Sequence, residues 1–262
     1  MGSSAVQSTL LAAEERGVLT LTLNRPDKRN AIDPELRDAL AEAIDGAATD
    51  AAVRGLVVTG AGGAFCAGGD LARFDELHDA MAYRHVSHRL TDLFESLERL
   101  EKPVVAAIDG VVTGAGLALA LACDWRVGSP SARILFREGR VGLVPAHGGL
   151  TRLVKQLGLA RAKEVLLGGD DLDAETARAA GLLSELADDP LAQARARVER
   201  MLARAPLAFG AAKRLLQLAA DTDQRSATLA ESLAQTALLG SDDHREGLAA
   251  ARERREPDFR GR

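Results

Sequence analysis

Two glycine-rich stretches could aim bare backbone N–H groups at one small site. They are Ala64-Phe65-Cys66-Ala67-Gly68-Gly69-Asp70-Leu71 and Asp109-Gly110-Val111-Val112-Thr113-Gly114-Ala115-Gly116-Leu117-Ala118. Each follows a run that predicts a buried strand, residues 55–59 and 103–108, and the second leads into an apolar helical run. A strand, a small-residue turn and a helix N-terminus leave N–H donors unpaired, and the missing side chains admit a ligand to the backbone. Two such turns together could form an oxyanion hole, although tight strand-to-helix packing calls for the same glycines. A proton-moving group is then needed. Glu138 lies between Arg137 and Arg140, so it is either a surface ion-pair partner or, in an apolar pocket, a base. His147, in Pro145-Ala146-His147-Gly148-Gly149, titrates near neutrality and could hold water or pass a proton. It could equally be a turn residue bonded to backbone.

The elements that must position these groups alternate between strand and helix. Leu19, Leu21 and Leu23 alternate with Thr20 and Thr22, predicting a strand over 18–23 with one buried face. Asp33-Pro34 supplies an N-cap and a first-turn proline for a helix carrying Leu36, Leu40 and Ile44. A long helix is predicted over 79–101 with Leu90, Phe94 and Leu97 on one face, stopped by Lys102-Pro103. The recurring order argues for an α/β core with parallel strands. From Asp189 onward the chain is nearly all helix-former, with Leu191, Val198, Met201, Leu202, Leu215, Leu216 and Leu218 expected on buried faces.

Composition bounds the function classes. The chain has 262 residues, 47% of them hydrophobic, enough for a substantial core. A formal charge of −5 argues against bulk attraction to nucleic acid or an anionic membrane. No apolar run approaches the ~20 residues of a membrane span. The opening Met1-Gly2-Ser3-Ser4-Ala5-Val6-Gln7-Ser8 lacks the pattern of a secretion signal, so a cytoplasmic location is expected. Cys66 and Cys123 sit in apolar contexts and read as small buried hydrophobes. No metal-ligand spacing is present.

The two glycine stretches resemble those of the crotonase superfamily, the enoyl-CoA hydratase/isomerase family. Matches in the family's order include Leu23-Asn24-Arg25-Pro26-Asp27-Lys28-Arg29-Asn30-Ala31, the segment from Phe136 to Pro145, and Asp242-Asp243-His244-Arg245-Glu246-Gly247. The resemblance implies a spiral of repeated β-β-α units over residues 1–188 and a helical trimerisation region over 189–262, in a homotrimer or dimer of trimers. It also implies an acyl-CoA thioester substrate and no cofactor beyond that CoA. The oxyanion donors would be the N–H groups of Gly69 and Ala115. Ala67, Gly68, Asp70, Leu71 and Gly116 would border the ligand, though Asp70 also reads as a turn acid satisfying backbone. Lys28, Arg29 and Ala31 would meet the adenine and pantetheine portions, and Arg254 the phosphates.

Of the two glutamates that hydratases of the family carry, one falls on Glu138 and the other on Ala118. Two carboxyl groups share the work of adding water, whereas one suffices to shift a double bond by moving a proton from C2 to C4. The resemblance therefore implies an allylic isomerase using Glu138. A hydratase, decarboxylase or hydrolase assisted by His147, and a non-catalytic acyl-CoA-binding protein, stay open. Arg137 and Arg140 would meet a carboxylated acyl group if they pointed inward.

Overall fold

The computed structural model describes residues 8–70 and 79–262. Leu71 and residues 1–7 of the opening segment lie outside the described residues. The larger of two sheets has strands β1 (Leu10–Glu15), β2 (Val18–Leu23), β3 (Gly55–Gly60), β5 (Val104–Ile108), β7 (Trp125–Gly128) and β10 (Glu185–Leu186), neighbours in that order. The smaller has β4 (Ala64–Cys66), β6 (Val111–Thr113), β8 (Arg133–Leu135) and β9 (Leu172–Asp173). Pairing is parallel throughout except for β1 with β2 and β8 with β9. The helices are α1 (Pro34–Thr49), α2 (Ala80–Arg99), α3 (Ala115–Ala122), α4 (Gly149–Leu167), α5 (Ala174–Ala180), α6 (Pro190–Leu202), α7 (Pro206–Asp221), α8 (Gln224–Leu239) and α9 (Asp242–Glu253).

Three successive units, β3-β4-α2, β5-β6-α3 and β7-β8-α4, each give one strand to each sheet before a helix. This is the β-β-α spiral that the family resemblance implies. Its strand ends bring both glycine turns and the Glu138 segment to the same edge of the small sheet.

Local chemistry accounts for the elements. Asp33 caps α1 by accepting from the Leu36 N–H at 2.9 Å, and Leu36, Leu40 and Ile44 are buried on the main core, worth roughly 1.5–3 kcal/mol each. Asp79 caps α2 in the same way through Met81. Thr20, expected to face outward, is buried and receives Arg195 Nε at 3.3 Å, because α6 covers the second face of the large sheet. There Val57, Val105 and Val127 meet Ala194 and Val198, so β3 and β5 are apolar on both sides, as parallel strands covered twice must be.

Two expectations are corrected. The glycine stretches are not turns alone: each contains a three-residue strand, β4 and β6. Leu216 and Leu218 are exposed, because α7 turns Gly210 against Glu101 and buries Lys213 toward the core instead. Lys213 Nζ donates to the Leu97 and Lys102 carbonyls at 2.9 and 3.1 Å and to Asp124 Oδ2 at 2.9 Å. No described helix is long and apolar enough to cross a membrane. Both cysteines are free and buried, and burial pushes each thiol up to about 12.

Candidate active site

The segment from Asn24 to Ala31 is a brace for the first glycine turn. Asn30, fully buried, takes the left-handed backbone conformation at φ 57°. Its Nδ2 donates to the Ala61 and Ala64 carbonyls at 2.9 and 2.7 Å, and its Oδ1 accepts from the Arg25 N–H at 2.9 Å. The Arg25 guanidinium joins Asp33 and Asp70, each at 3.1 Å, and donates to the Ala31 carbonyl. The turn itself is pinned backbone to backbone: Ala67 N–H donates to Arg29, Ile32 N–H to Gly68 and Asp70 N–H to Ile32. Because Gly69 sits between those last two bonds, its own N–H points to the opposite side of the chain, as consecutive N–H groups of an extended segment do.

The second turn supplies the other donor. Gly114, at φ 56° and ψ −131°, precedes Ala115, the first residue of α3. The N–H of a first helical residue lies ahead of the intrahelical ladder and at the positive end of the helix. The turns touch: a Cβ on Gly68 would lie 3.1 Å from the Thr113 carbonyl oxygen and 3.3 Å from the Ala115 nitrogen. Only glycine permits this approach, since Gly68 is also at φ 93°.

Both turns open into a cavity of about 360 Å³, within the range of small-molecule sites. Ala67, Gly68, Gly69 and Asp70 line it from the first turn, and Thr113, Gly114 and Ala115 from the second. Val86 and Leu90 of α2 form one apolar wall, with Ser87 between them, and Val141, Leu143 and Val144 form another. Glu138 and His147 complete it. Glu138 begins a 3-10 turn, Glu138–Val141, closed by the Leu143 N–H on the Glu138 carbonyl at 2.9 Å.

Among the described residues, three carboxylates line the cavity. Asp33 and Asp70 are tied to Arg25, whereas Glu138 Oε2 is buried and has no hydrogen-bond partner among the described residues. The Thr113 hydroxyl is orphaned in the same way. Leaving such a group unsatisfied costs about 1–3 kcal/mol, so both are groups that a ligand can satisfy. His147 stands at φ 54°, with its Nδ1 3.3 Å from the Ser87 carbonyl and 3.4 Å from the Ser87 hydroxyl. Phe94 meets the ring edge-on at 6.3 Å. Burial holds the imidazole below its ordinary pKa, partly offset by the Ser87 carbonyl. It is therefore neutral at pH 7, and a proton on Nδ1 shared with Ser87 leaves the Nε2 lone pair available.

The other expected residues are placed differently. Ala118 is buried in α3 with its Cβ facing Gly149, where an added Cβ would lie 3.3 Å away, and it does not line the cavity. Gly116 is off the cavity, its Cα against Cys66. Lys28 and Arg29 are exposed, Ala31 is buried and none of the three lines the cavity; Arg254 is exposed at the end of α9. Arg137 lines the cavity but pairs with Asp171, and Arg140 does not line it. Sequence reading missed Thr113, Ser87 and Arg37, which all line the cavity. Thr113 was legible as the side chain next to the second glycine turn. Ser87 and Arg37 lie on helices whose facing only packing reveals. Among the described residues no three His, Cys, Asp or Glu side chains could hold a metal ion.

Comparison with known proteins agrees with this geometry. The family model for enoyl-CoA hydratase/isomerase matches residues 13–262. The 2,3-dehydroadipyl-CoA hydratase of Escherichia coli K12 is 34% identical, with 97% of this chain and 100% of that one covered. The 1,2-epoxyphenylacetyl-CoA isomerase of the same organism is 36% identical, with 97% and 98% covered. A crystal structure of an enoyl-CoA hydratase from Polaromonas sp. JS666 superposes with a TM-score of 0.91 at 32% identity, covering 95% of this chain and 99% of that one. With the spiral, the paired glycine turns and the family match in agreement, the chain belongs to the enoyl-CoA hydratase/isomerase family of the crotonase superfamily.

Proposed function

We propose that the protein shifts a double bond along the acyl group of a CoA thioester, with Glu138 as its single acid and base. The observation that carries this reading is the accounting of carboxylates in the cavity. Among the described residues, Asp33 and Asp70 are held by Arg25, Ala118 stands where hydratases of the family carry a second glutamate, and Glu138 alone offers a buried carboxylate oxygen without a partner. Glu138 takes a proton from C2 of a 3-enoyl thioester, and the electron pair moves onto the thioester oxygen. The Gly69 and Ala115 N–H groups hold that oxygen, and each donor lowers the barrier by roughly 3–4 kcal/mol. Return of the proton to C4 leaves the double bond between C2 and C3. Lys28, Arg29, Ala31 and Arg254 serve the CoA portion in this reading. Copies of the chain assemble as trimers or dimers of trimers through α7–α9, whose outer faces expose Leu216, Leu229 and Leu233.

A second reading is hydration, favoured by the neutral His147 in the same cavity. Turnover of 3-enoyl-CoA and 2-enoyl-CoA by the wild type and by Glu138→Gln, with products identified by mass, separates the two. Isomerisation that disappears in the variant supports the first reading. A gain of water by the 2-enoyl substrate supports the second, and binding of both thioesters without turnover of either points to a non-catalytic acyl-CoA-binding protein.

A further inference from the structure

Arg37 is a cavity residue to which the reaction above gives no part. It lies one turn into α1, with only 7% of its side chain exposed, and it lines the cavity on the α1–α2 side. Its Nε and Nη2 donate to the two carboxylate oxygens of Asp38 at 2.8 and 3.0 Å. Its Nη1 has no acceptor among the described residues. Asp38, half exposed, is shared with Arg89, whose Nη2 donates to Asp38 Oδ1 at 3.0 Å. Two guanidinium groups on one carboxylate leave the cluster with one excess positive charge. Of the three residues only Arg37 faces the cavity. A planar guanidinium held rigidly on one edge presents its free edge as a ready donor to an anion. Arg137, the other arginine on the cavity wall among the described residues, is more exposed and is occupied by Asp171, so Arg37 is the enclosed arginine among them.

We infer that Arg37 receives a second carboxylate at the far end of the acyl group, so that the substrate class is the CoA thioester of a dicarboxylic acid. The apolar walls formed by Leu90 and Val144 cover the carbon chain between the thioester held at Gly69 and Ala115 and the carboxylate at Arg37. This assignment rests on reading the cavity as the acyl site.

The test compares kcat/KM for matched acyl-CoA pairs of equal chain length, one ending in a methyl group and one in a carboxylate. Wild type, Arg37→Met and Arg37→Lys are assayed. Loss of a charge-assisted hydrogen bond is worth about 10- to 100-fold, so the carboxylated-to-neutral preference falls by that factor in Arg37→Met and by less in Arg37→Lys, which keeps the charge. Because Asp38 is half exposed and retains Arg89, Arg37→Met does not strand a buried anion. An equal loss for both members of the pair, or an unchanged preference, overturns the assignment. The same conclusion follows if the effect of Arg37→Met tracks removal of the 3′-phosphate from CoA rather than the acyl carboxylate. Calorimetric binding of the neutral acyl-CoA to wild type reports separately on the cavity: if it binds and Glu138→Gln abolishes its turnover, failure of the Arg37 test leaves the acyl-site reading intact.

Discussion

Gly68→Ala is the substitution that most directly separates the proposed oxyanion role of the paired turns from ordinary packing. Gly68 is at φ 93°, where an L-residue is disfavoured by roughly 1–2 kcal/mol. The added methyl group would meet the Thr113 carbonyl at 3.1 Å and the Ala115 nitrogen at 3.3 Å. Both are backbone atoms, so relief requires the two turns to separate by a few tenths of an ångström. That movement shifts one donor relative to the other, and loss of an oxyanion donor costs about 10²–10³ in kcat. We expect kcat to fall about 100-fold while denaturant unfolding shows a loss of about 1–3 kcal/mol. Gly63→Ala is the control: Gly63 is at φ 75° with nothing within 4 Å of the added carbon. It should suffer a similar conformational penalty of about 1–2 kcal/mol and keep its kcat. Full kcat in Gly68→Ala, or an equal collapse of kcat in Gly63→Ala, would refute the reasoning.

Lys213→Met removes the cation from a buried pair and leaves Asp124 uncompensated, which typically costs 3–5 kcal/mol. Burial already raises the Asp124 carboxyl above its ordinary 3.8, opposed chiefly by Lys213. The contribution of a carboxyl raised in the folded state is fully present below its ordinary pKa and is lost as pH rises from there through the folded value. The Lys213→Met deficit seen by urea unfolding should therefore shrink relative to wild type as pH is lowered, and a pH-independent deficit would count against the pair. His147 has the opposite sign. Its pKa is depressed below the ordinary 6.5 by burial, so its contribution is intact above pH 6.5 and lost as pH falls through the folded value. Wild-type stability should drop through that window, and His147→Asn should flatten the drop; an unchanged pH profile would show that His147 stays charged or solvated.

Much of this was legible because apolar periodicity and turn chemistry act locally. The strand at 18–23, the Asp33 cap and the Leu90, Phe94 and Leu97 face follow from neighbouring residues alone. Strands β4 and β6 were hidden, since three residues beside glycines carry no period and form only because the next turn of the spiral pairs with them. The exposed Leu216 and Leu218 and the buried Lys213 show the limit of helix reading: a helix rich in leucine does not reveal which stripe meets the core. At the site, glycine spacing signalled the two turns. That Asn24 to Ala31 serves as the brace of the first turn depends on Asn30 and Arg25 bonds spanning 31 to 45 residues. The Asp242 to Gly247 segment is likewise structural here, with Asp243 accepting the Arg260 and Gly261 N–H groups and Gly247 lying against Phe259. The cavity-facing position of Arg37 is a product of tertiary packing and has no sequence signal of its own.

The central claim is that one carboxylate carries the proton. A 3-enoyl-CoA deuterated at C2 tests it most directly, by locating the label in the product by mass and NMR. The account predicts that part of the deuterium reappears at C4 of the 2-enoyl product, and that Glu138→Gln lowers turnover about 10²- to 10⁴-fold, the range of general acid–base catalysis. Complete loss of label to solvent from the earliest turnover, together with activity that survives Glu138→Gln, would contradict it and move the chemistry to His147 or another group.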